Sequence, residues 1–403
     1  MRLLKVLLFL IIFSLILGEL ARVSIGEVGL AFNLIDFLVI LSFLVWLFVV
    51  MNKKKKIFLP PGFIYIFIFY LIALVSLVNS LKFYPLREVL VGSMFLFRFI
   101  IYSLIYLVVY NIFVKREATF WVNILISASL VIAFLGILQI IFVPDLRFLN
   151  VYGWDPHVRR LVSTFLDPNF VGGFLTLTFI LLLSKIIFKK SNNIGNWFAV
   201  LILLTSIFLT FSRSTYLMLA VALLLIGILK SKKIFLSLLV VMLIFIIFVP
   251  KARDRVIGGF TVDVTAQARI ESWQNALKIA EDHPFLGVGF NNFRFAQSDY
   301  GFFNYPQTGD EHSGAGSDSS FLTILATSGI LGSVVFIIIL AVILYKSFLL
   351  RKQFLAFAAF VSFTSIIIHS QFVNSLLFPL NMIWLWFLAG LAFLESKDEE
   401  NNT

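Results

Sequence analysis

Long uninterrupted apolar runs constrain this chain more than any other feature of its sequence. Several of them reach the roughly 20 residues that a helix needs to cross a bilayer core of about 30 Å. The composition agrees, because 61% of the residues are hydrophobic, only 13% are charged and 48 are phenylalanine. A soluble chain with this composition could not cover its exterior with polar groups. Transmembrane strands would be shorter and alternating, and that pattern is not seen. The sequence therefore predicts a helical membrane protein.

The runs predict about twelve transmembrane helices, so the expected fold class is an all-α polytopic membrane protein. The predicted spans are residues 3–20, 28–51, 57–79, 90–114, 119–143, 164–188, 197–211, 214–229, 234–250, 320–345, 354–373 and 375–395. The first run resembles a secretory signal, but no small-residue cleavage site follows it and another span comes at once, so we predict a retained helix. The predicted organisation is helices 1–9 in 1–250, an external loop in 251–319, helices 10–12 in 320–395 and a cytoplasmic tail in 396–403.

The net charge of +11 is explained by topology. More than half of the 32 lysines and arginines lie at the chain start, in alternate connections between spans, or after the last span. These positions are Arg2, Lys5, Lys53 to Lys56, Lys115, Arg116, Lys185, Lys189, Lys190, Lys230, Lys232, Lys233, Lys346, Arg351, Lys352 and Lys397. This positive-inside pattern predicts that both termini are cytoplasmic. No stripe of basic and aromatic residues indicates a nucleic-acid partner.

The same alternation places the polar segments 144–163, 212–214, 251–319 and 371–375 outside the cytoplasm. Nucleotides are not normally available there, and the chain has neither a Walker motif nor a GxGxxG motif. Cysteine is absent, which excludes disulfides and a thiol nucleophile. The chemistry is therefore expected to face outward and to use no nucleotide cofactor, and we predict no cofactor of any kind.

The large external loop contains a predicted amphipathic helix. In Ala266–Ala280, the residues Ile270, Trp273, Leu277 and Ala280 recur at helical spacing, which favours a helix that lies on the membrane surface or caps the bundle. A proline at position 284 is expected to end it. The following Gly, Ser, Asn and Tyr-rich segment, 294–317, is typical of a mobile loop that gates a substrate site.

Four motifs together resemble the O-antigen ligase and polymerase family of membrane glycosyltransferases. They are RLVSTFLDPNFVGGFL (Arg160–Leu175), LTFSRSTYL (Leu209–Leu217), RIESWQNALKIAEDHPFLGVGFNNF (Arg269–Phe293) and SDSSFLTILATSGILG (Ser317–Gly332). Their order, spacing and topology agree with that family over about residues 160–332, the expected catalytic region.

The resemblance implies a GT-C-like fold and a defined reaction. Such an enzyme takes a glycan from an undecaprenyl diphosphate carrier at the periplasmic face of the inner membrane. The acceptor is lipid A core for a ligase, which completes lipopolysaccharide, or another carrier-linked glycan for a polymerase. The implied partners are the lipid-linked donor, the acceptor and membrane lipid, with a chain-length regulator protein as a further partner of a polymerase.

Arginine is the residue expected to bind the diphosphate leaving group. Its planar fork donates paired hydrogen bonds to phosphate oxygens. The candidates on the outer side are Arg213, Arg269, Arg160 and Arg159. Arg213 could instead be a snorkelling residue at a helix end, Arg269 could belong to a solvated face, and at least one of the pair 159–160 could be an interfacial anchor.

The acceptor hydroxyl must lose a proton as it attacks, so a proton acceptor is expected near the anomeric carbon. Ligases of the family usually carry a histidine directly before a small polar residue and the apolar helix, whereas this chain has Asp318 there. Either Asp318 is the base, or His312 reaches the same point through the flexible glycines between them. Asp318 could also simply cap the helix that starts near Ser320. A carboxylate at a helix N-terminus is expected to have a lowered pKa, which argues against Asp318 acting alone.

Four further residues are candidates for supporting roles. Arg98 lies within an apolar span and should pair with a carboxylate or a lipid phosphate. Asp167 and Asn169 are typical of a helix start, although the resemblance allows them to line the acceptor cavity. His369 lies near an outer helix end and could contact sugar hydroxyls. The four histidines are scattered and no DxD pair occurs, so we predict metal-independent transfer in which arginines supply the positive charge.

The main alternative of another class is a lipid-linked-glycan flippase or other transporter. Transporters tend to have two repeat-related halves and broken helices near the midplane. This chain instead gathers its polar groups at one face, after the fifth span. We therefore predict a glycosyltransferase, with polymerase slightly preferred to ligase because of the aspartate at position 318.

Overall fold

The computed structural model describes residues 2–25, 30–190, 193–302 and 316–394. His312 and the predicted tail 396–403 lie outside the described residues. Within them the chain is almost entirely helical, in agreement with the predicted class. The helices are α1 (Arg2–Ser14), α2 (Leu34–Asn52), α3 (Phe63–Asn79), α4 (Leu86–Ile112), α5 (Lys115–Phe142), α6 (Pro168–Lys189), α7 (Ile194–Leu209), α8 (Arg213–Leu229), α9 (Lys232–Phe248), α10 (Pro250–Phe260), α11 (Val264–Asp282), α12 (Phe293–Asp299), α13 (Ser320–Leu349), α14 (Phe354–His369) and α15 (Pro379–Ala392).

Six of the described helices are long and apolar enough to cross a membrane, namely α2, α3, α4, α5, α6 and α13. A seventh span results if α9 and α10, which meet at 92°, are counted as one broken span. The described helices α7, α8, α14 and α15 are apolar but shorter, with 14 to 17 residues. The prediction of a multi-pass helical protein is therefore confirmed, whereas the number twelve is not.

The first two predicted spans differ most from the structure. Helix α1 has 13 residues and ends at Ser14, well short of the predicted 3–20. It is followed by a 3-10 turn and by two antiparallel strands, β1 (Arg22–Ile25) and β2 (Leu30–Asn33), which hydropathy alone did not predict. Helix α2 then begins at Leu34, because the side chains of Asn33 and Asp36 form a reciprocal capping box.

Contacts at one end of the bundle bring several basic segments together. Lys5, near the start of α1, forms an ion pair with Glu117 at the start of α5. Lys189, at the end of α6, donates to Thr119 over 3.3 Å. The Lys230 ammonium, after α8, lies 4.1 Å from the ring centroid of Phe188. These elements therefore share one end of the molecule, as their common basic character predicted.

Polar caps at the opposite end begin the helices that carry the candidate site. Asp167 caps α6, Ser212 caps α8, Asp263 caps α11 and Ser319 caps α13. Each side chain accepts hydrogen bonds from backbone N–H groups that have no partner within the helix. The starts of α13 and α14's partner segment are also joined, because Ser320 N–H donates to the Ser370 carbonyl over 2.9 Å.

Helix α13 is broken at Gly329, and the break holds the external segment in place. Gly329 has φ 63° and ψ −167°, a conformation essentially restricted to glycine. The segment after α11 fits into the break, where Ile330 N–H donates to the Pro284 carbonyl over 2.7 Å and Val288 N–H donates to the Ala326 carbonyl over 3.0 Å. The backbone groups released by the break are thus satisfied by the segment that positions α11.

The predicted amphipathic helix is present as α11, and it ends at Asp282, two residues before Pro284. Its packed face differs from the prediction. Ala276, Ile279 and Ala280 are buried, whereas Ile270 and Leu277 are 39% and 44% exposed. The helical spacing of apolar residues was correct, but residues of both sets lie on adjacent faces, and contact with α13 selects the face that is buried.

The break in α13 generates the first prediction. A Cβ on Gly329 would lie 2.2 Å from the Phe285 backbone, so Gly329→Ala must displace the segment that holds α11. We expect a loss of about 3 kcal/mol in the free energy of unfolding, measured by thermal and denaturant unfolding in detergent. Gly301→Ala is the matched control, because Gly301 also has positive φ but nothing lies within 4 Å of its added Cβ. It should cost only about 1 kcal/mol. Equal losses in the two variants would contradict this role of the break.

Candidate functional site

Asp318 does not cap α13. The cap is Ser319, whose Oγ accepts from Leu322 N–H over 3.4 Å. The alternative in which Asp318 serves only as a helix cap is therefore wrong. Asp318 is instead held by its backbone, because its N–H donates to Ser272 Oγ over 3.1 Å and its carbonyl accepts from Trp273 Nε1 over 3.3 Å. Helix α11 thus fixes the position of Asp318, while the Asp318 carboxylate makes no hydrogen bond to any residue of the described ranges.

The pKa of Asp318 is raised, not lowered as the helix-end argument predicted. Burial is the main cause, and the charges of Asp167 and Asp155 act in the same direction. The guanidinium of Arg269 opposes them without reversing the shift. The expected lowering assumed that the carboxylate accepts hydrogen bonds from the helix terminus, which is what Ser319 does instead. A raised pKa makes Asp318 a better proton acceptor than an ordinary surface aspartate.

Arg269 lies in the first turns of α11 and is half-buried. Its guanidinium makes no hydrogen bond to any residue that the structure describes. Burial lowers its pKa, while the charges of Asp318, Asp167 and Asp263 raise it and that of Arg213 lowers it. An arginine side chain remains protonated in proteins, so Arg269 presents a positive fork with unused donors beside two carboxylates.

Arg213 is bound to Asp263 through two parallel hydrogen bonds. Its two terminal nitrogens lie 3.1 Å and 3.0 Å from the two carboxylate oxygens. Asp263 also accepts from Ala266 N–H over 2.9 Å, so one carboxylate caps α11 and anchors the first residue of α8. Among the influences on Asp263, burial raises its pKa, but this capping bond and Arg213 lower it overall. A snorkelling arginine would make no such fork, so this interpretation of Arg213 is excluded.

The pair Arg159 and Arg160 divides into an exposed and a buried side chain. Arg160 donates from Nε to the Thr210 carbonyl over 2.9 Å, which joins the connection before α6 to the end of α7. Burial lowers the pKa of Arg160 to about 10, so the side chain is still cationic at neutral pH. Arg159 is exposed, and its backbone carbonyl accepts from Lys251 Nζ over 2.7 Å. Arg160 therefore belongs to the buried group, and Arg159 lies at its edge.

Asp167 and Asn169 form the start of α6, as the sequence predicted. Asp167 Oδ1 accepts from the N–H groups of Asn169 and Phe170 over 2.7 Å and 2.9 Å. Asn169 Oδ1 accepts from Ser212 Oγ over 2.7 Å, so the N-termini of α6 and α8 are joined side by side. Burial raises the pKa of Asp167, with Arg160 and Arg269 acting in the opposite direction. Asp167 is thus a second carboxyl group near Arg269.

His369 and Arg98 contact other residues. His369 is fully buried at the end of α14, where Nδ1 lies 2.7 Å from Ser375 Oγ and the ring packs against Gly173 of α6. Arg98 in α4 pairs with Asp36 in α2 at 2.8 Å and 2.7 Å, which confirms that this intramembrane arginine has a carboxylate partner. Arg98 makes no printed contact with the group around Arg269, whereas the charge of Arg269 does act on His369.

Sequence reasoning missed a group in the connection before α6. Asp155, His157 and Asp167 each offer a ligand atom, and these atoms all lie within 4.8 Å of one another, in a geometry that could hold a metal ion. The chain separation of these residues concealed the group. Burial and the nearby charge of Arg160 lower the pKa of His157 to about 4, so its imidazole is neutral. Arg255 and Lys251 also act on His157, and this positive surrounding field opposes cation binding.

The arrangement combines three properties that suit displacement of an anionic leaving group. Arg269 offers unused donors, Arg213 and Arg160 add fixed positive charge, and Asp318 offers a carboxylate of raised pKa. These groups come from the starts of α8, α11 and α13 and from the segment before α6. The site can therefore bind a phosphate-type anion and accept a proton next to it.

Comparison with known proteins supports the resemblance seen in the motifs. A family model described as O-antigen ligase matches residues 198–337. The matched region includes Arg213, Arg269 and Asp318, whereas the motif at 160–175 precedes it. No curated protein matches the chain. The match confirms the resemblance to the O-antigen ligase and polymerase family for this region and supports a glycosyltransferase-like enzyme.

The raised pKa of Asp318 generates the second prediction. A carboxyl group whose folded-state pKa is raised binds its proton more tightly in the folded state, so its ionised form destabilises the fold above that pKa. We expect Asp318→Asn to increase the thermal midpoint at pH 7, and the gain should shrink as the pH is lowered and wild-type Asp318 becomes protonated. Ser319→Ala, which removes the true cap, should instead lower stability by about 1 kcal/mol at both pH values. A loss of stability in Asp318→Asn at pH 7 would contradict the assignment.

Proposed function

We propose that this chain is a membrane glycosyltransferase that transfers a glycan from an undecaprenyl diphosphate donor to a second glycan. The observation that carries the proposal is the guanidinium of Arg269. It is half-buried, it has no hydrogen-bond partner among the described residues, and the charges of Asp318 and Asp167 act on it. A purely structural arginine in such a place would be expected to use its donors on the protein. The match of residues 198–337 to the O-antigen ligase model supports the same conclusion.

In the proposed reaction, a hydroxyl oxygen of the acceptor attacks the anomeric carbon of the donor glycan. The bond from that carbon to the diphosphate oxygen breaks, and the diphosphate leaves with the bonding electron pair. Arg269 donates hydrogen bonds to the diphosphate, where negative charge develops. Asp318 accepts the proton of the attacking hydroxyl. The products are the extended glycan and undecaprenyl diphosphate, so atoms and charge balance.

Arg213 and Arg160 are proposed to act as fixed positive charge next to the leaving group. The fork of Arg213 is engaged by Asp263 and the Nε of Arg160 by a backbone carbonyl, so neither is free to follow the substrate. Their charge nevertheless lowers the free energy of an anion at Arg269. Arg159 at the exposed edge would contribute mainly to attracting the anionic donor. His312 remains the other candidate base, and it lies outside the described residues.

We further propose that the site faces the periplasm and that the protein lies in the inner membrane. The basic segments joined by Lys5, Lys189 and Lys230 would then be cytoplasmic, and the caps of α6, α8, α11 and α13 would lie at the outer surface. Counting the shorter apolar helices, the bent pair α9 and α10 as one, and α1 gives the twelve spans of a GT-C-like topology with cytoplasmic termini. The loop 251–319 would separate spans 9 and 10.

Polymerase is preferred to ligase as the specific activity. The residue before the cap of α13 is Asp318, whereas ligases of this family usually have a histidine there. A ligase would transfer the glycan to lipid A core and would therefore end the growth of the chain, whereas a polymerase would use another carrier-linked glycan and work with a chain-length regulator. The acceptor is the property that distinguishes the two.

The third prediction concerns acceptor and metal. Purified protein in detergent receives a carrier-linked glycan with EDTA, together with lipid A core or with more of the same glycan. We expect longer carrier-linked chains on gels and by mass spectrometry, with an unchanged rate in EDTA, because arginines supply the positive charge. Transfer to lipid A core alone would establish a ligase. Activity lost in EDTA and restored by Mn²⁺ would show a metal-dependent reaction and would direct attention to Asp155, His157 and Asp167.

The fourth prediction concerns Arg269 and Asp318. Arg269→Lys keeps the charge but loses the fork, so we expect the transfer rate to fall by about 100-fold. Asp318→Asn removes the proton acceptor and should lower the rate by about 100-fold to 10,000-fold, with donor binding retained. The matched controls are Arg253→Lys and Asp254→Asn, which alter the same residue types at exposed positions of α10. Their rates should equal that of the wild type.

The two variants also have an outcome that would count against the mechanism. If Arg269→Lys transfers at the wild-type rate while the protein remains folded, the guanidinium does not bind the leaving group. If Asp318→Asn transfers at the wild-type rate, the base is another residue, and His312→Gln in the same assay identifies it when that variant alone is inactive.

A further inference from the structure

A cavity of about 200 Å³ lies outside the group around Arg269. The 3-10 turn after α1, the strands β1 and β2, helices α4 and α12, and the starts of α6 and α15 line it. Its volume corresponds to about seven waters at about 30 Å³ each, which is the scale of one sugar ring rather than of a whole oligosaccharide. No step of the proposed reaction uses this space.

Arginine dominates the charged lining of this cavity. Arg22, Arg98 and Arg294 line it, and the carboxylate of Glu19 lies 3.7 Å from Arg22. Asp36 binds Arg98 from behind. Arg294 is only 4% exposed, although a buried guanidinium is costly. Burial raises the pKa of the Glu19 carboxyl, which weakens the negative charge on this side. The described lining therefore has an excess of positive charge.

Aromatic rings form the remaining walls. The guanidinium carbons of Arg98 and Arg294 lie 5.5 Å and 5.4 Å from the centroid of the Phe95 ring. The guanidinium of Arg22 lies 5.7 Å from the Trp154 ring, whose side chain is half-exposed at the cavity. Phe170 and Phe378 stack with their centroids 4.0 Å apart. The rings both orient the guanidinium groups and offer flat apolar surface.

We propose that this cavity binds a carboxylate-bearing sugar of the acceptor glycan. The C–H face of a sugar ring would pack on the aromatic walls, and the planar carboxylate would pair with the guanidinium forks. The proposal rests on the proposed function, because it identifies the class of glycan that the enzyme extends. It also fits the position, since Phe170 lines the cavity and Asp167, one turn earlier, belongs to the group around Arg269.

The aromatic walls decide between an acidic sugar and a lipid phosphate. A phosphate group is bound by cations and N–H donors alone and gains nothing from flat apolar surface. A neutral sugar would not need three buried or half-buried guanidinium groups, each of which costs desolvation energy. Only a ring that carries a carboxylate uses both parts of the lining.

The test measures ligand-induced shifts of the thermal midpoint for purified full-length protein with glucuronate, glucose or inorganic phosphate at equal concentration. Binding to the folded state alone raises the midpoint. We expect glucuronate to raise it more than either glucose or phosphate. Arg22→Gln should reduce the glucuronate shift to that of glucose, and Trp154→Leu should reduce both sugar shifts. Arg147→Gln is the matched control, because Arg147 is an exposed arginine paired with Asp145 outside the cavity, and it should keep the wild-type pattern.

Asp318→Asn separates this inference from the proposed function. We expect that variant to lose transfer while its glucuronate shift stays as in the wild type. A shift by phosphate as large as that by glucuronate would overturn the inference in favour of a phosphate site. Equal shifts by glucuronate and glucose in the wild type, or no shift by either, would also overturn it, and neither result depends on the folding of a variant. Failure of transfer in the wild type with a selective glucuronate shift would overturn the proposed reaction and leave the sugar site standing.

Discussion

The interaction on which the rest of the site depends is the attraction between Arg269 and two carboxyl groups that it does not neutralise through any hydrogen bond in the described structure. Asp318 and Asp167 both have raised pKa values, with burial as the main cause, although Arg269 opposes the shift. A protein optimised for stability alone would pair these groups closely. Keeping them near one another but apart costs stability, and it preserves both a donor fork for an anion and an acceptor for a proton. The site is therefore arranged for a ligand that carries negative charge.

This separation is maintained by backbone contacts rather than by long side chains. The segment after α11 fills the break of α13 at Gly329, and it thereby fixes the distance between the helix that carries Arg269 and the helix that follows Asp318. At the other end of α11, Asp263 caps the helix and binds Arg213 of α8. Rigid elements hold reacting groups more accurately than loops do. The external segment thus behaves as part of the bundle throughout its described residues.

Local signals in the sequence predicted the local features. The cap and proline at Asp167 and Pro168 gave the start of α6, and the apolar spacing after position 263 gave α11, because both depend on neighbours within one or two turns. Features that need distant partners were missed or wrong. Ser319 rather than Asp318 caps α13, the hairpin interrupts an apolar run, and His157 meets Asp167 only after the connection before α6 folds back. The pKa of Asp318 was wrong for the same reason, since burial is a property of the packed structure and cannot be obtained from helix position.

The position of the cavity relative to Arg269 bears on the choice between polymerase and ligase. The start of α6 lies between them, with Asp167 on the side of Arg269 and Phe170 on the side of the cavity. An acceptor bound in the cavity by one acidic sugar would present its next residues toward Asp318. If that sugar occurs in every repeating unit, each product has the group that the next round requires of its acceptor. A ligase joins its glycan to a different molecule once and needs no such recurrence. Recognition of a repeated acidic sugar therefore favours successive transfer by the same site.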